Sequence, residues 1–129
     1  MEQKNNMVGW FEIPVIDMDR AIKFYETVFD CKLQREKMGS IDMAWFPWID
    51  EGLGSGGSLV NAQDFYKPSD NGVLIYFTAH SGDLSNELSR VETAGGKICQ
   101  KRTLIKEDIG YMALITDTEG NRIALHSRE

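Results

Sequence analysis

The 129-residue chain is poor in the residues that disulfide-bonded, nucleic-acid-binding and membrane-spanning proteins depend on. Its two cysteines, Cys31 and Cys99, fall in no CxxC spacing, so we predict free thiols. Its 14 basic residues are outnumbered by 20 acidic ones, and a net charge of −6 disfavours nucleic-acid binding. No apolar run approaches the roughly 20 residues that span a bilayer. Together with a polar N-terminus, these shortages predict a cytoplasmic protein without nucleic-acid or membrane partners.

The residues that are present suit one folded domain. A hydrophobic fraction of 42% is enough to build a core, and a charged fraction of 26% is ordinary for a protein surface. The length is also typical of a single domain, so we predict one domain over residues 1–129.

The first half of the chain begins as a strand and continues as a helix. From residue 10 onward, Phe11 and Ile13 point to one face, while Trp10 and Glu12 point to the other. Asp17 then occupies the position of a helix N-cap, and an apolar stripe follows at helical spacing. Three further strands are predicted over residues 31–38, 41–47 and 56–60.

The second half repeats this order of elements. A strand is predicted over 71–79, a helix over 83–96, and strands over 97–102, 110–117 and 122–127. The two helices align at a constant offset of 66 residues, which pairs Asp17 with Asp83 and Ile22 with Leu88. The chain is therefore predicted to contain tandem βαβββ units, at 7–61 and 72–129, joined by a polar loop over 61–71.

Two motifs sharpen the prediction of the fold. The first helix opens with D-x-D-R-A-x-x-F-Y, and the last hairpin contains D-x-x-G-N-x-I. The residues that carry these motifs are Asp17, Arg20, Ala21, Phe24, Tyr25, Asp117, Gly120, Asn121 and Ile123. With the tandem units, they resemble the vicinal oxygen chelate superfamily, which includes glyoxalase I, extradiol dioxygenases, and fosfomycin and bleomycin resistance proteins. The resemblance implies an α+β fold in which two curved four-stranded sheets surround a shared cavity.

The same resemblance implies where a metal would bind. In metal-using members of the superfamily, the ligands lie on the first and fourth strands of each unit. The corresponding positions here are Trp10, Ser58, Leu74 and Ala124. Divalent metals in such sites need nitrogen and carboxylate ligands, which these side chains do not supply. We therefore predict no metal and no cofactor.

Alternation along the strands predicts which side chains face the cavity. Most of them are aromatic or polar, as in a small-molecule site. The predicted ligand-binding residues are Trp10, Glu12, Trp45, Trp48, Ser58, Leu74, Tyr76, Arg122, Ala124 and His126. Because Pro47 interrupts its segment, the alternation does not fix the facing of Trp45 and Trp48.

Glu12 and His126 are the two titratable candidates for general acid–base catalysis. Three roles are open for Glu12: a solvated residue or partner of Arg122, a ligand-recognition residue, or a catalytic one. Tyr66, in the loop between the units, is placed either to close over a ligand or to pack on a second chain. The glycine-rich segment at 52–57 matches a phosphate-binding pattern only formally, because a strand follows it and not a helix. We predict that it is a flexible loop beside the cavity.

Three hypotheses about function follow. The first is metal-independent binding of a small aromatic or amphipathic molecule. The second is an enzyme of the same superfamily that uses Glu12 and His126 as acid–base groups or as a non-standard metal site. The third is a structural or regulatory dimer without turnover. A homodimer is expected in each case, because open sheet edges favour pairing with a second chain.

Overall fold

The computed structural model describes residues 2–62 and 64–129, and within them the predicted order of elements is found twice. The first unit has one helix and four strands, and the second repeats them. The first-unit elements are β1 (Trp10–Pro14), α1 (Met18–Phe29), β2 (Gln34–Met38), β3 (Ile41–Trp45) and β4 (Gly56–Asn61). The second-unit elements are β5 (Tyr76–Thr78), α2 (Leu84–Leu88), β6 (Lys97–Lys106), β7 (Gly110–Thr116) and β8 (Arg122–Ser127).

Each unit builds one four-stranded mixed sheet. The strand orders are β1-β4-β3-β2 in the first sheet and β5-β8-β7-β6 in the second. In both, the first strand pairs in parallel with the fourth, and the remaining pairs are antiparallel. The predicted α+β fold of two sheets with helices is thereby confirmed. Neither described helix has the length and apolar character needed to cross a membrane.

Helix α1 forms where its sequence signals predict. The Asp17 side chain accepts the backbone N–H of Arg20 at 3.1 Å, which satisfies one of the free donors at the helix start. Ala21, Phe24 and Val28 lie on one stripe and are fully buried. The helix ends at Asp30, whose backbone is left-handed with a φ of 51°.

Helix α2 is shorter than the sequence predicted. Asp83 caps it as expected, but the regular helix ends at Leu88, and turns continue to residue 95. The N–H of Val91 donates to the carbonyl three residues back, which is a tighter spacing than in an α-helix. Arg90 donates two hydrogen bonds to the Val28 carbonyl at the end of α1, so contacts with the first unit fix this segment.

Strand β5 is also shorter than predicted, and strand β6 is longer. The approach to β5 is interrupted at Gly72, whose φ is +100° and whose carbonyl accepts a bond from Arg122. Strand β6 continues to Lys106 because β7 pairs with it along its length, with bulges that shift the register. Hairpin pairing thus extends the strand beyond the predicted end at residue 102, through a segment whose side chains are exposed.

The two units share one core on the helix side of the sheets. Phe77 of β5 stacks on Phe29 of α1 with ring centroids 4.8 Å apart, and it meets Phe11 of β1 edge-on at 5.6 Å. Tyr25 contacts the same ring at 5.9 Å. Aromatic pairs of this kind add to the stabilisation from buried area. The helix-side faces of the units are therefore joined within the chain.

A polar turn at residues 117–121 also ties the second unit to the first. Asp117 is buried and accepts the Tyr25 hydroxyl at 2.6 Å. Asn121 donates its side-chain amide to the Pro14 carbonyl at 2.8 Å, across the two units. The motif residues of the last hairpin thus act as a structural connection to the first strand and first helix.

Glu119 lies at the centre of this turn. Its carboxylate accepts the backbone N–H groups of Ile16 and Asp17, each at 2.9 Å, and the Arg20 guanidinium at 2.8 Å. Burial raises the pKa of this carboxyl group, but the hydrogen bonds from Arg20, Asp17 and Ile16 outweigh it and bring the pKa down to about 2. The folded state therefore holds Glu119 in its charged form.

We predict that Glu119 makes folding stability depend on pH in the acid range. A carboxyl pKa lowered from 4.5 to about 2 contributes stability above pH 4.5, and this contribution is lost as the pH falls toward 2. It is on the order of 3 kcal/mol at neutral pH. Urea unfolding should show that Glu119→Gln is destabilised at pH 7 and that its gap from the wild type narrows at pH 3.

The control is Glu107→Gln, because Glu107 is exposed and makes no ion pair with the described residues. It removes the same formal charge and should change stability little at either pH. A gap for Glu119→Gln that stays the same from pH 7 to pH 3 would contradict the assigned role of the carboxylate.

Candidate functional site

The first sheet has one face covered by α1 and one that this chain leaves open. Along β1, Ile13 is buried on the helix side, while Trp10 and Glu12 project to the opposite side and are exposed. The register places Glu12 beside Ser58 of β4, and Ser58 beside Trp45 of β3. We call this surface the open face of the first sheet, and it carries Trp10, Glu12, Trp45 and Ser58.

The tryptophan cluster, formed by Trp10, Trp45 and Trp48, dominates the open face of the first sheet. The rings of Trp10 and Trp45 meet edge-on with centroids 5.6 Å apart, and those of Trp10 and Trp48 are 6.4 Å apart. The indoles are 39%, 38% and 58% exposed, in that order. These are the three tryptophans of the chain, so every indole is in one place.

Because Gly56 has no side chain, it leaves space for the rings of the tryptophan cluster. A Cβ atom on Gly56 would lie 2.1 Å from a ring carbon of Trp48 and 3.2 Å from one of Trp10. The next residue, Gly57, faces the other way, and its Cβ would lie 2.3 Å from the ring of Phe11 in the core. Adjacent glycines therefore serve opposite faces of β4, one the open face and one the core.

The end of β3 and the segment after it divide their aromatic side chains between the two faces. Trp45 and Trp48 join the open face, while Phe46 packs inward against Phe11 at 5.7 Å. The Trp48 indole N–H donates to the Asp50 carboxylate two residues on, which orients the ring. The structure thereby settles the facing that strand alternation left open around Pro47.

Glu12 is engaged by the segment between the units. Its carboxylate accepts a hydrogen bond from the hydroxyl of Tyr66, for which the sequence left open either closing over a ligand or packing on a second chain. Burial, and then the hydrogen bond to Glu12, raises the pKa of the Tyr66 phenol to about 12. The alternative of a Glu12–Arg122 pair is wrong for a single chain, because the two residues lie on different sheets and Arg122 donates to the Gly72 carbonyl.

Ser58 is the buried polar residue of this face. It has 0% exposure, and among the described residues its hydroxyl has no hydrogen-bond partner. The rings of Trp10 and Trp45 approach each other from the strands on either side of β4, which carries Ser58. A buried hydroxyl without a hydrogen-bond partner is costly, so Ser58 is a polar group that the packing of the described residues leaves unsatisfied.

The other predicted residues lie on the second sheet. Tyr76 is 51% exposed, and His126 and Arg122 are half-buried. Ala124 pairs with Tyr76 in the register but has no exposed surface, and Leu74 precedes β5 instead of lying within it. This open face of the second sheet is less aromatic than the first.

His126 is held by a backbone carbonyl. Its Nε2 lies 2.8 Å from the Ile109 oxygen, and because a carbonyl only accepts, Nε2 carries the proton. Among residues 2–62 and 64–129, no hydrogen bond or ion pair joins His126 to Glu12. The two candidate acid–base groups are therefore not assembled into a pair within one chain.

The residues at the metal positions that the resemblance implies do not fit a divalent metal. Trp10, Leu74 and Ala124 have no ligand atom to offer, and Ser58 alone supplies one hydroxyl. Elsewhere in the described part of the chain, no group of three or more His, Cys, Asp or Glu residues could hold a metal ion. We derive no chemical step through a metal.

A cleft of about 760 Å³ adjoins the tryptophan cluster. It lies between residues 3–9 and the glycine-rich loop, and Trp48, Lys4 and Glu51 are among its lining residues. Sequence reasoning placed the glycine-rich loop beside the cavity but missed the N-terminal segment, whose polar residues carry no periodic signal. A smaller cleft of about 280 Å³ lies along α1, away from these residues.

Comparison with known proteins identifies the family. The sequence matches the Glyoxalase/Bleomycin resistance protein/Dioxygenase superfamily over residues 7–125. The chain belongs to this superfamily, which confirms the resemblance drawn from its motifs. No match was found among curated proteins.

Solved structures with low sequence identity share the fold. A glyoxalase/bleomycin resistance protein from Albidiferax ferrireducens T118 is 18% identical with a TM-score of 0.72, covering 96% of this chain and 100% of the other. The antibiotic binding protein TnmS3 from Streptomyces sp. CB03234 is 18% identical, with a TM-score of 0.65 and coverages of 99% and 100%. Glyoxalase I from Zea mays is 20% identical, with a TM-score of 0.66, covering 92% of this chain and 45% of the maize chain.

We predict that Gly56→Ala disturbs the tryptophan cluster without a large loss of stability. The added methyl group must displace the Trp48 ring, which is 58% exposed and free to turn outward. Tryptophan emission and near-ultraviolet circular dichroism should change, while the urea midpoint should change little.

Two neighbouring glycines provide matched controls. Gly57→Ala places its methyl group against Phe11 in the core, and we expect it to lower stability by about 1–3 kcal/mol. Gly9→Ala adds a methyl group in open space and should alter neither property. If Gly56→Ala left the tryptophan spectra as Gly9→Ala does, the described packing of Trp48 would be wrong.

Proposed function

We propose that this protein binds a small aromatic or amphipathic molecule on the open face of the first sheet, without a metal. The observation that carries the proposal is the tryptophan cluster, whose three partly exposed indoles lie together on one sheet face. Large indole rings grouped at a surface are unusual for a side that only contacts water. They supply rigid apolar area on which a ring system can stack.

The polar groups of the open face add specificity to this apolar area. The Glu12 carboxylate and the unpartnered Ser58 hydroxyl lie in one row with Trp45 across the sheet. A few polar groups within an aromatic surface are the usual composition of a small-molecule site. The chemistry of the side chains at the metal positions supports binding in preference to the metal-dependent reactions of the superfamily.

A protein with the same fold also supports binding as the function. TnmS3, which shares the fold, is described as an antibiotic binding protein, whereas the maize protein is described as glyoxalase I. The fold therefore accommodates both binding and catalysis, and the choice rests on the residues of the site.

We further propose that the complete site forms in a homodimer. Within the described part of one chain, the aromatic contacts between the units all lie on the helix side, so the two open faces do not meet. Both units carry exposed apolar side chains, at Met7, Ile49, Leu53, Phe65, Val73, Leu104, Ile105 and Ile109. A second copy would cover such side chains. It would also place the open face of the second sheet of one chain over the open face of the first sheet of the other.

Binding is tested by tryptophan fluorescence in buffer that contains EDTA. Since all three indoles lie in the tryptophan cluster, a small library of aromatic compounds should include ones that quench or shift the emission. Trp45→Ala should weaken binding of such a compound by at least tenfold, since it removes a stacking surface. Binding that disappears with EDTA and returns with zinc would overturn the metal-independent proposal.

The shared site is tested by mixing two variants. Trp45→Ala damages the open face of the first sheet, and Tyr76→Ala damages the open face of the second sheet. When the two variants are unfolded together and refolded, mixed dimers should contain one site built only from undamaged faces, which restores about one quarter of all sites. If the site were complete within each chain, every site would carry one damaged face, and the mixture would bind no better than the variants alone.

A further inference from the structure

The open face of the first sheet combines accessible aromatic rings with unneutralised negative charge. Trp10, Trp45 and Trp48 present indole rings, which attract cations placed over their faces. Glu12 lies on the same face as Trp10, and the Asp50 carboxylate lies against the Trp48 indole N–H. Two kinds of group that favour a positive charge are thus found together.

The carboxylates of this region have no cationic partner in the chain. Among the described residues, no Lys, Arg or His nitrogen lies within 4.0 Å of Glu12 or Asp50. The partners they do have, the Tyr66 hydroxyl and the Trp48 indole, are neutral hydrogen-bond donors. In the adjoining cleft, Lys4 is matched by Glu51. The net charge around the tryptophan cluster therefore remains negative.

Ser58 gives a second, independent indication. Its hydroxyl is 0% exposed and unpartnered, and it lies between Glu12 and Trp45 in the register. Because Gly57 faces the core, the side chain of Ser58 points to the opposite face, which is that of the tryptophan cluster. Its oxygen has free lone pairs, so it can accept a hydrogen bond from an N–H group of a ligand.

We propose that the ligand of this site is a planar organic cation that carries an N–H donor, such as a protonated amino-substituted nitrogen heterocycle. The indoles stack on its ring, Glu12 compensates its charge, and Ser58 accepts its N–H once the indole rings turn aside. This inference rests on the proposed binding function and names the class of ligand. A neutral ring of the same shape would gain the stacking but not the charge.

The test compares two probes of the same shape. At pH 7, 4-aminoquinoline is protonated and 1-aminonaphthalene is neutral, and both are two-ring aromatic amines. Calorimetry with the full-length wild-type protein should show at least tenfold tighter binding of 4-aminoquinoline. Equal or tighter binding of 1-aminonaphthalene would overturn the cation proposal and leave the proposed aromatic-binding function intact. Binding of neither probe would also overturn the cation proposal, and the proposed function would fail with it if no compound of the aromatic library changed the tryptophan emission.

Variants assign the preference to the named residues. Glu12→Gln keeps the shape and the acceptor for Tyr66, so the affinity for 4-aminoquinoline should fall at least fivefold more than the affinity for 1-aminonaphthalene. Glu107→Gln makes the same change in net charge at an exposed position outside the site and should affect neither probe. Equal losses from these two variants would show a general charge effect and would contradict the role of Glu12.

A third variant tests Ser58. Removing an unpartnered buried hydroxyl should raise the Tm of the free protein, so Ser58→Ala should be folded and stable. It should also bind 4-aminoquinoline at least threefold more weakly, because the acceptor for the N–H is gone. A stable Ser58→Ala variant with unchanged affinity for 4-aminoquinoline would contradict the proposed hydrogen bond from the ligand N–H to Ser58.

Discussion

The buried carboxylate of Glu119 links the two units of the chain at the start of α1. It accepts two backbone N–H groups just before α1 and the guanidinium of Arg20 within α1, so a turn of the second unit is fixed to the first unit. A buried charge with this many donors holds one arrangement, because any displacement leaves it unpaired at a large cost. The helix-side faces are thereby pressed together, and the open faces of the two sheets are left for other contacts.

The same constraint explains the position of the candidate site. With α1 and the shared aromatic core on one side of the first sheet, the alternating residues of β1 and β3 must project to the other side. Gly56 leaves space there for Trp48, and Gly57 leaves space for Phe11 on the core side. Local backbone choices and the packing of the units thus combine to place every indole of the chain on one accessible surface.

The sequence predicted the repeated units and the caps because these signals are local. Asp17 and Asp83 cap their helices, and the D-x-x-G-N-x-I hairpin forms the turn that joins the units. The lengths of α2 and β5 were not predictable, since long-range contacts such as the bonds from Arg90 to Val28 and from Arg122 to Gly72 determine them. The partners of Glu12 were missed for the same reason. Strand alternation predicts the sheet face on which Glu12 lies. It does not predict that the loop residue Tyr66 donates a hydrogen bond to Glu12.

The central claim is that the tryptophan cluster itself binds a small molecule without a metal. The most direct measurement is fluorine NMR of protein labelled with 5-fluorotryptophan, which reports Trp10, Trp45 and Trp48 as three separate probes and contains no indole elsewhere. With EDTA present, titration with 4-aminoquinoline should shift all three resonances together and to saturation. Saturable binding by calorimetry that leaves all three resonances unmoved would contradict the account.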